Sequence, residues 1–249
     1  MNIIKANNYE NMSNLAANIL LEKIIKGQKL VLGLATGGTP VGLYNILIKQ
    51  LSKDKLSLKH LHTVNLDEYI GIPIDHPQSY HQFMDENLFN HIDIPKSQTH
   101  LPNGEVSDLE KECERYEALI DELGGIDLQL LGVGSNGHIG FNEPGTSFES
   151  RTHVVKLAAS TREANSRFFA DEAEVPKESI TMGIDTIMRS KEILLLASGK
   201  DKAEALYQLI LGNEDKFCPV TVLKKHPNLT VIADKDALSL VDVKQKKYV

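Results

Sequence analysis

Short apolar, β-branched runs alternate with longer amphipathic segments from one end of this chain to the other. The runs Lys29–Leu34, His62–Leu66, Ile126–Val133, His153–Leu157, Ile193–Ala197 and Leu229–Ala233 read as strands. Each is too short for a helix and apolar at nearly every position, as a strand buried on both faces must be. Helical spacing predicts helices over Tyr9–Ile25, Val41–Leu51, Tyr80–Phe89, Asp108–Leu123, Arg162–Phe169 and Lys200–Leu211. In the first of these, Leu15, Ile19, Leu20, Ile24 and Ile25 fall on one stripe. The second starts with Thr39 placed to cap and Pro40 at the first helical position. This alternation predicts an α/β fold: a single doubly wound, mostly parallel sheet with helices on both faces. No linker, repeat or charge block marks a boundary, so residues 1–249 are expected to form one domain.

In such a sheet, ligands bind where loops leave the carboxyl ends of the strands, and three of those ends carry chemistry. The strand Ile126–Val133 runs into Gly132-Val133-Gly134-Ser135-Asn136-Gly137-His138-Ile139-Gly140 and then Phe141-Asn142-Glu143-Pro144. Four glycines in nine positions contribute no side chains to a core and suggest tight turns or a ligand lying against backbone. His138 is the one side chain of that loop that titrates near neutral pH, and Glu143 is a candidate partner that would fix its tautomer and orientation for proton transfer. A glycine-rich turn with a surface histidine is the plainer reading. A metal site is disfavoured, because His138 and Glu143 supply only two ligands and no His-x-x-x-His or cysteine cluster adds more.

The strand Lys29–Leu34 leads into Ala35-Thr36-Gly37-Gly38-Thr39-Pro40 and a helix. Freed backbone N–H groups, two hydroxyls and the positive end of a helix dipole make an anion site, although the same residues also suit a tight turn that binds nothing. Neither a Walker loop nor a dinucleotide fingerprint is present, which points to a small phosphate ester. The third end is Val64-Asn65-Leu66-Asp67-Glu68-Tyr69. Successive strand residues face opposite ways, so one of Asp67 and Glu68 can face the crevice as a general base while the other points away. The plainer reading is a strand-end acid that caps the next element. The proline-bearing segment from Ile72 to Tyr80 reads as a structured loop that could cover the site. Arg167 and Lys202 are the basic residues best placed to complete an anion pocket, Lys202 because it follows a strand's carboxyl end.

Composition narrows the field. A formal charge of −7 over 249 residues argues against nucleic-acid binding. No apolar run is long enough to span a bilayer, and the N-terminal residues lack the blocks of a signal peptide, so a cytoplasmic protein is expected. Cys113 and Cys218 form no zinc or redox pattern and are expected to be buried free thiols. The basic tail 241–249 reads as a solvated terminus.

The segments Leu34–Pro40, Asn65–Tyr69, Gly132–Pro144 and Ala164–Phe169 together resemble the glucosamine-6-phosphate deaminase family, in the family's order and across nearly the whole chain. The resemblance implies a Rossmann-like fold shared with 6-phosphogluconolactonases and related to ribose-5-phosphate isomerases and CoA transferases. It implies conversion of D-glucosamine 6-phosphate and water to D-fructose 6-phosphate and ammonia in amino-sugar breakdown, without metal or organic cofactor. By the same resemblance, His138 opens the sugar ring, oriented by Glu143 and Asn136, and Asp67 moves a proton from C2 to C1. Thr36, Gly37, Gly38, Thr39, Arg167 and Lys202 hold the phosphate.

Two departures stand out. Many family members have Asp where this chain has Asn136, a replacement that removes a charge beside His138. Asn136→Asp is therefore expected to raise the His138 pKa and move the acidic limb of kcat/KM upward. Hexameric members carry an allosteric site for N-acetylglucosamine 6-phosphate, whose basic residues align here with His153 and Val155, and a longer C-terminal tail. Hyperbolic kinetics and a monomer or small homo-oligomer are expected instead. The rival readings are a lactonase with the same phosphate pocket, a galactosamine 6-phosphate deaminase, and a non-catalytic sugar-phosphate sensor. A sensor should lack the acid–base residues that this chain retains.

Overall fold

The computed structural model describes residues 1–54, 56–158, 161–162, 169 and 174–241. The helix expected over Arg162–Phe169, Arg167 itself and the tail beyond Val241 lie largely or wholly outside them. The strands are β1 (Asn2–Ala6), β2 (Leu30–Leu34), β3 (Leu61–Asn65), β4 (Asp67–Tyr69), β5 (Thr99–His100), β6 (Leu128–Leu131), β7 (His153–Lys156), β8 (Glu178–Thr181), β9 (Ile193–Ala197) and β10 (Leu229–Asp234). The α-helices are α1 (Tyr9–Ile24), α2 (Gly38–Asp54), α3 (Tyr80–Asn87), α4 (Leu109–Leu123), α5 (Ile184–Met188) and α6 (Ala203–Leu211).

Seven strands form one sheet in the order β1-β10-β9-β6-β2-β3-β5, parallel at every pairing. The apolar run of β9 shows why no position could be polar. Ile193, Leu195 and Ala197 enter one core cluster, and Leu194 and Leu196 enter the cluster on the opposite face. The strand order turns around between β2 and β6, so the loops after these two strands flank the crevice where such sheets bind ligands.

The structure differs from the sequence reading in instructive places. His153–Lys156 is a strand, but it belongs to a second, three-stranded antiparallel sheet in the order β4-β8-β7. Its alternating exposure fits a sheet with one wet face. In α1 the buried stripe is Met12, Ser13, Ala16, Ala17, Leu20 and Ile24, whereas Ile25 is exposed. The small Ser13, Ala16 and Ala17 face inward because α2 comes close: a Cβ on Gly42 would stand 2.5 Å from the Ser13 hydroxyl oxygen. Helix α2 begins at Gly38, so Thr39 lies in its first turn rather than at a cap. Cys113 is buried as expected, but Cys218 is only partly so.

The two sheets meet at Leu66. Its N–H donates to the Leu34 carbonyl in the large sheet (3.1 Å), and its carbonyl accepts from the Met182 N–H just after β8 (2.6 Å). Asp67 is therefore the first residue past a corner, carried out of the parallel sheet and over its carboxyl edge.

Candidate active site

A cavity of about 460 Å³ opens at that edge, a size typical of small-ligand sites. Thr36, Gly37, Gly38 and Thr39 line it from the loop after β2, and Asp67 from β4. Asn136 and His138 line it from the loop after β6, and Lys202 from the turn after β9. Glu143 stands behind His138, and Arg167 lies outside the described residues.

The ambiguity between Asp67 and Glu68 resolves cleanly. The Glu68 carboxylate accepts hydrogen bonds from the backbone N–H groups of Tyr69 (2.7 Å), Tyr80 (2.9 Å) and His81 (2.9 Å), and its Oε2 lies 2.7 Å from His81 Nδ1. It caps the start of α3, where negative charge is favoured. Asp67, on the opposite side of the strand, faces the cavity. It is 5% exposed, and burial, reinforced by the nearby Glu68 charge, pushes its pKa up to about 8. A carboxyl so placed can both take and return a proton near neutral pH.

The His138 loop is fastened to the same corner. The fully buried Asn142 donates from Nδ2 to the carbonyls of Ile139 and Met182 (both 2.9 Å), and the Phe141 N–H donates to the Thr181 hydroxyl (3.1 Å). Met182 thus touches both segments, which is why Asp67 and His138 look into one cavity. Two glycines shape the loop. Gly137 has φ +85° and lies so close to Cys218 that a Cβ would be 2.4 Å from its sulfur. At Gly134 a Cβ would stand 2.2–2.5 Å from three atoms of the His138 ring, so the imidazole occupies the space a side chain would need.

Burial holds the His138 pKa below the ordinary histidine value; the Glu143 carboxylate opposes that shift and Lys202 adds to it. The ring is therefore neutral at pH 7 and can accept a proton. Glu143 Oε2 lies 3.7 Å from His138 Nδ1, too far for a hydrogen bond. Asn136 does not touch the ring through its side chain as the resemblance implied. Its Nδ2 donates to Glu143 Oε2 (3.0 Å), and its Oδ1 accepts from the His138 backbone N–H (3.1 Å). Asn136→Asp would replace that donor with a second carboxylate beside Glu143 and is expected to raise the His138 pKa by about one unit. With the Asp67 pKa raised to about 8, the acidic limb of kcat/KM is expected to follow Asp67 if it is the base. The effect of Asn136→Asp is therefore read from the His138 ring signals in an NMR titration, where an unmoved midpoint would refute it.

At the other end of the cavity, the N-terminal turn of α2 begins at Gly38 and Lys202 faces it, its Nζ 2.9 Å from Asp201 Oδ2. Gly199, at φ +95°, turns the chain between β9 and Lys202. Sequence reasoning missed three lining residues: Tyr80, Thr161 and Asp201. Tyr80 sat at the end of the expected covering loop, and its ring stacks on Phe141 with centroids 6.1 Å apart and 11° between planes. Among the described residues, no group of three or more His, Cys, Asp or Glu is arranged to hold a metal ion.

The model of the family described as glucosamine-6-phosphate isomerases/6-phosphogluconolactonase matches residues 5–232. A glucosamine-6-phosphate deaminase of Halalkalibacterium halodurans is 57% identical over 243 residues, covering 98% of this chain and 99% of its own. One from a Geobacillus species is 56% identical over 249 residues, covering 100% of this chain and 99% of its own. A solved structure of a monomeric glucosamine-6-phosphate deaminase superposes with a TM-score of 0.94 at 52% identity, covering 96% of this chain and 100% of that one. With two sheets bringing an acid, a histidine and a glycine-rich helix start to one cavity, the chain belongs to the glucosamine-6-phosphate isomerase/6-phosphogluconolactonase family.

Proposed function

We propose that this chain is a glucosamine-6-phosphate deaminase, converting D-glucosamine 6-phosphate and water to D-fructose 6-phosphate and ammonia in amino-sugar metabolism. The observation that carries this reading is Asp67: a buried carboxyl with its pKa raised to about 8, facing the same cavity as a neutral histidine and an anion loop. Identities of 56–57% to deaminases over nearly the full chain support it.

Each step has a residue suited to it. The phosphate binds the N-terminal turn of α2 through Thr36, Gly37, Gly38 and Thr39, and pairs with Lys202 and Arg167. His138 takes the proton of the anomeric hydroxyl and delivers one to the ring oxygen, opening the pyranose. Asp67 takes the C2 proton to give the enolamine and returns a proton at C1. Water then adds to the resulting C2 imine, which collapses to the ketone and expels ammonia. Every proton moves between neighbouring atoms, so no strong acid is needed. Residues 1–249 would act as one catalytic unit, in the cytoplasm, as a monomer or small homo-oligomer. The monomeric solved relative supports the small assembly. No described helix is long and apolar enough to cross a membrane.

A lactonase would need a base to activate water, but not an acid that carries a proton between adjacent carbons. The test is to supply the purified chain with glucosamine 6-phosphate and, separately, with 6-phosphogluconolactone. Equimolar ammonia and fructose 6-phosphate are expected from the first, with no acceleration of the second. Lactone hydrolysis without ammonia release would overturn the reading.

A further inference from the structure

The His138–Glu143 pair contains a contradiction that neither residue explains. His138 Nδ1 is buried and has no hydrogen-bond partner, although a carboxylate oxygen lies 3.7 Å away. An unsatisfied buried ring nitrogen is costly, and a carboxylate is the partner it would most readily take. Something holds Glu143 back. Its two oxygens are held separately: Oε2 by the Asn136 amide and Oε1 by the Thr161 hydroxyl. Thr161 is 6% exposed and lines the cavity. The ring cannot cross the gap, because it is seated in the slot left by Gly134. Asn136, whose Oδ1 accepts from the His138 backbone N–H, anchors Oε2 beside the ring, and Thr161 anchors Oε1.

We propose that Thr161 is a positioning residue for the acid–base pair, its hydroxyl holding Glu143 out of hydrogen-bond contact with His138 Nδ1. Thr161 thereby sets how strongly the carboxylate favours the protonated imidazole. A His138 in full contact with Glu143 would hold its proton more tightly and release it less readily to the sugar ring oxygen. The inference rests on the deaminase reading only for that consequence; the geometry exists without a substrate. Among the described residues, the other charged or titratable groups facing His138 are Lys202 and Asp201 from the turn after β9, Asp67 from β4, Tyr80 from α3, and the Cys218 thiol behind Gly137. None of them bonds Thr161.

The test is an NMR titration of His138 in the unliganded protein. Thr161→Val keeps the shape and removes the hydroxyl, so Glu143 closes on Nδ1. The His138 midpoint is expected to rise by about one pH unit, a tenfold change in the protonated fraction. Thr161→Ala should shift it the same way, and Thr161→Ser should retain the wild-type midpoint. In a Glu143→Gln background, Thr161→Val should have no further effect, because Thr161 acts only through the carboxylate. An unchanged or lowered midpoint in the valine and alanine variants, or a shift that persists without Glu143, overturns the proposal. Should the wild-type chain release no ammonia from glucosamine 6-phosphate, the functional reading fails while this titration still decides the role of Thr161.

Discussion

Asp67→Asn is expected to lower kcat/KM for glucosamine 6-phosphate by about 10²–10⁴-fold, the usual contribution of a positioned general acid–base. The amide fills the same space but cannot accept a proton. Because nothing changes in the loop proposed to bind the phosphate, competitive inhibition by fructose 6-phosphate should persist. The same variant tests the electrostatics. The folded protein holds a proton on Asp67 up to about pH 8, whereas the unfolded chain releases it in the ordinary carboxylate range. Between these values the folded state binds more protons, so wild-type stability falls as pH rises. Asp67→Asn escapes that loss and is expected to be more stable than wild type at pH 9 by about 5–6 kcal/mol, the four-unit separation of the two pKa values, the gap closing toward pH 4. Denaturant melts at the two pH values check this. In the wild-type enzyme the acidic limb of kcat/KM should have its midpoint near 8, and a midpoint near 4 would contradict a buried base.

The second large effect is expected at a residue with no chemistry of its own. Gly134→Ala places a methyl where the His138 ring sits, with three ring atoms within 2.2–2.5 Å of it. Either the ring or the loop must move by about 1 Å, and a displacement of that size costs about 10²-fold in rate. The fold should survive, since Gly134 lies outside the strands and its φ is not among the positive ones. Steady-state kinetics beside a thermal melt separate the two, and full activity in the alanine variant would show that His138 is not held where catalysis needs it.

How far the sequence reaches is clear from these residues. The strands of the large sheet were legible where apolar runs are continuous, as in β9, because both faces are buried and no position could be polar. The small sheet was not legible. β4 has three residues, two of them acidic, and β8 has four, three of them polar, so neither shows a hydrophobic period. Yet that sheet brings Asp67 and His138 together through Leu66, Met182 and Asn142. Thr36, Asp67, His138, Glu143 and Lys202 were visible as strand-end chemistry, whereas Asn136 gained a role only through the family resemblance. What the spacing could not say was that Glu68 is a cap, or that Asn136 binds Glu143 rather than the ring. Thr161 was invisible for a similar reason: its partner is 18 residues away, and no local pattern records a contact made by the fold.

On the proposed mechanism, one buried carboxyl moves a proton between adjacent carbons of the substrate. That transfer is tested most directly by following the hydrogen itself. Glucosamine 6-phosphate carrying deuterium at C2 is turned over in ordinary water, and C1 of the fructose 6-phosphate is examined by NMR. With Asp67 as the single base, 5% exposed and largely shielded from solvent exchange, a substantial fraction of the deuterium is expected at C1. Product free of deuterium at C1, from the first turnover onward, would contradict the account.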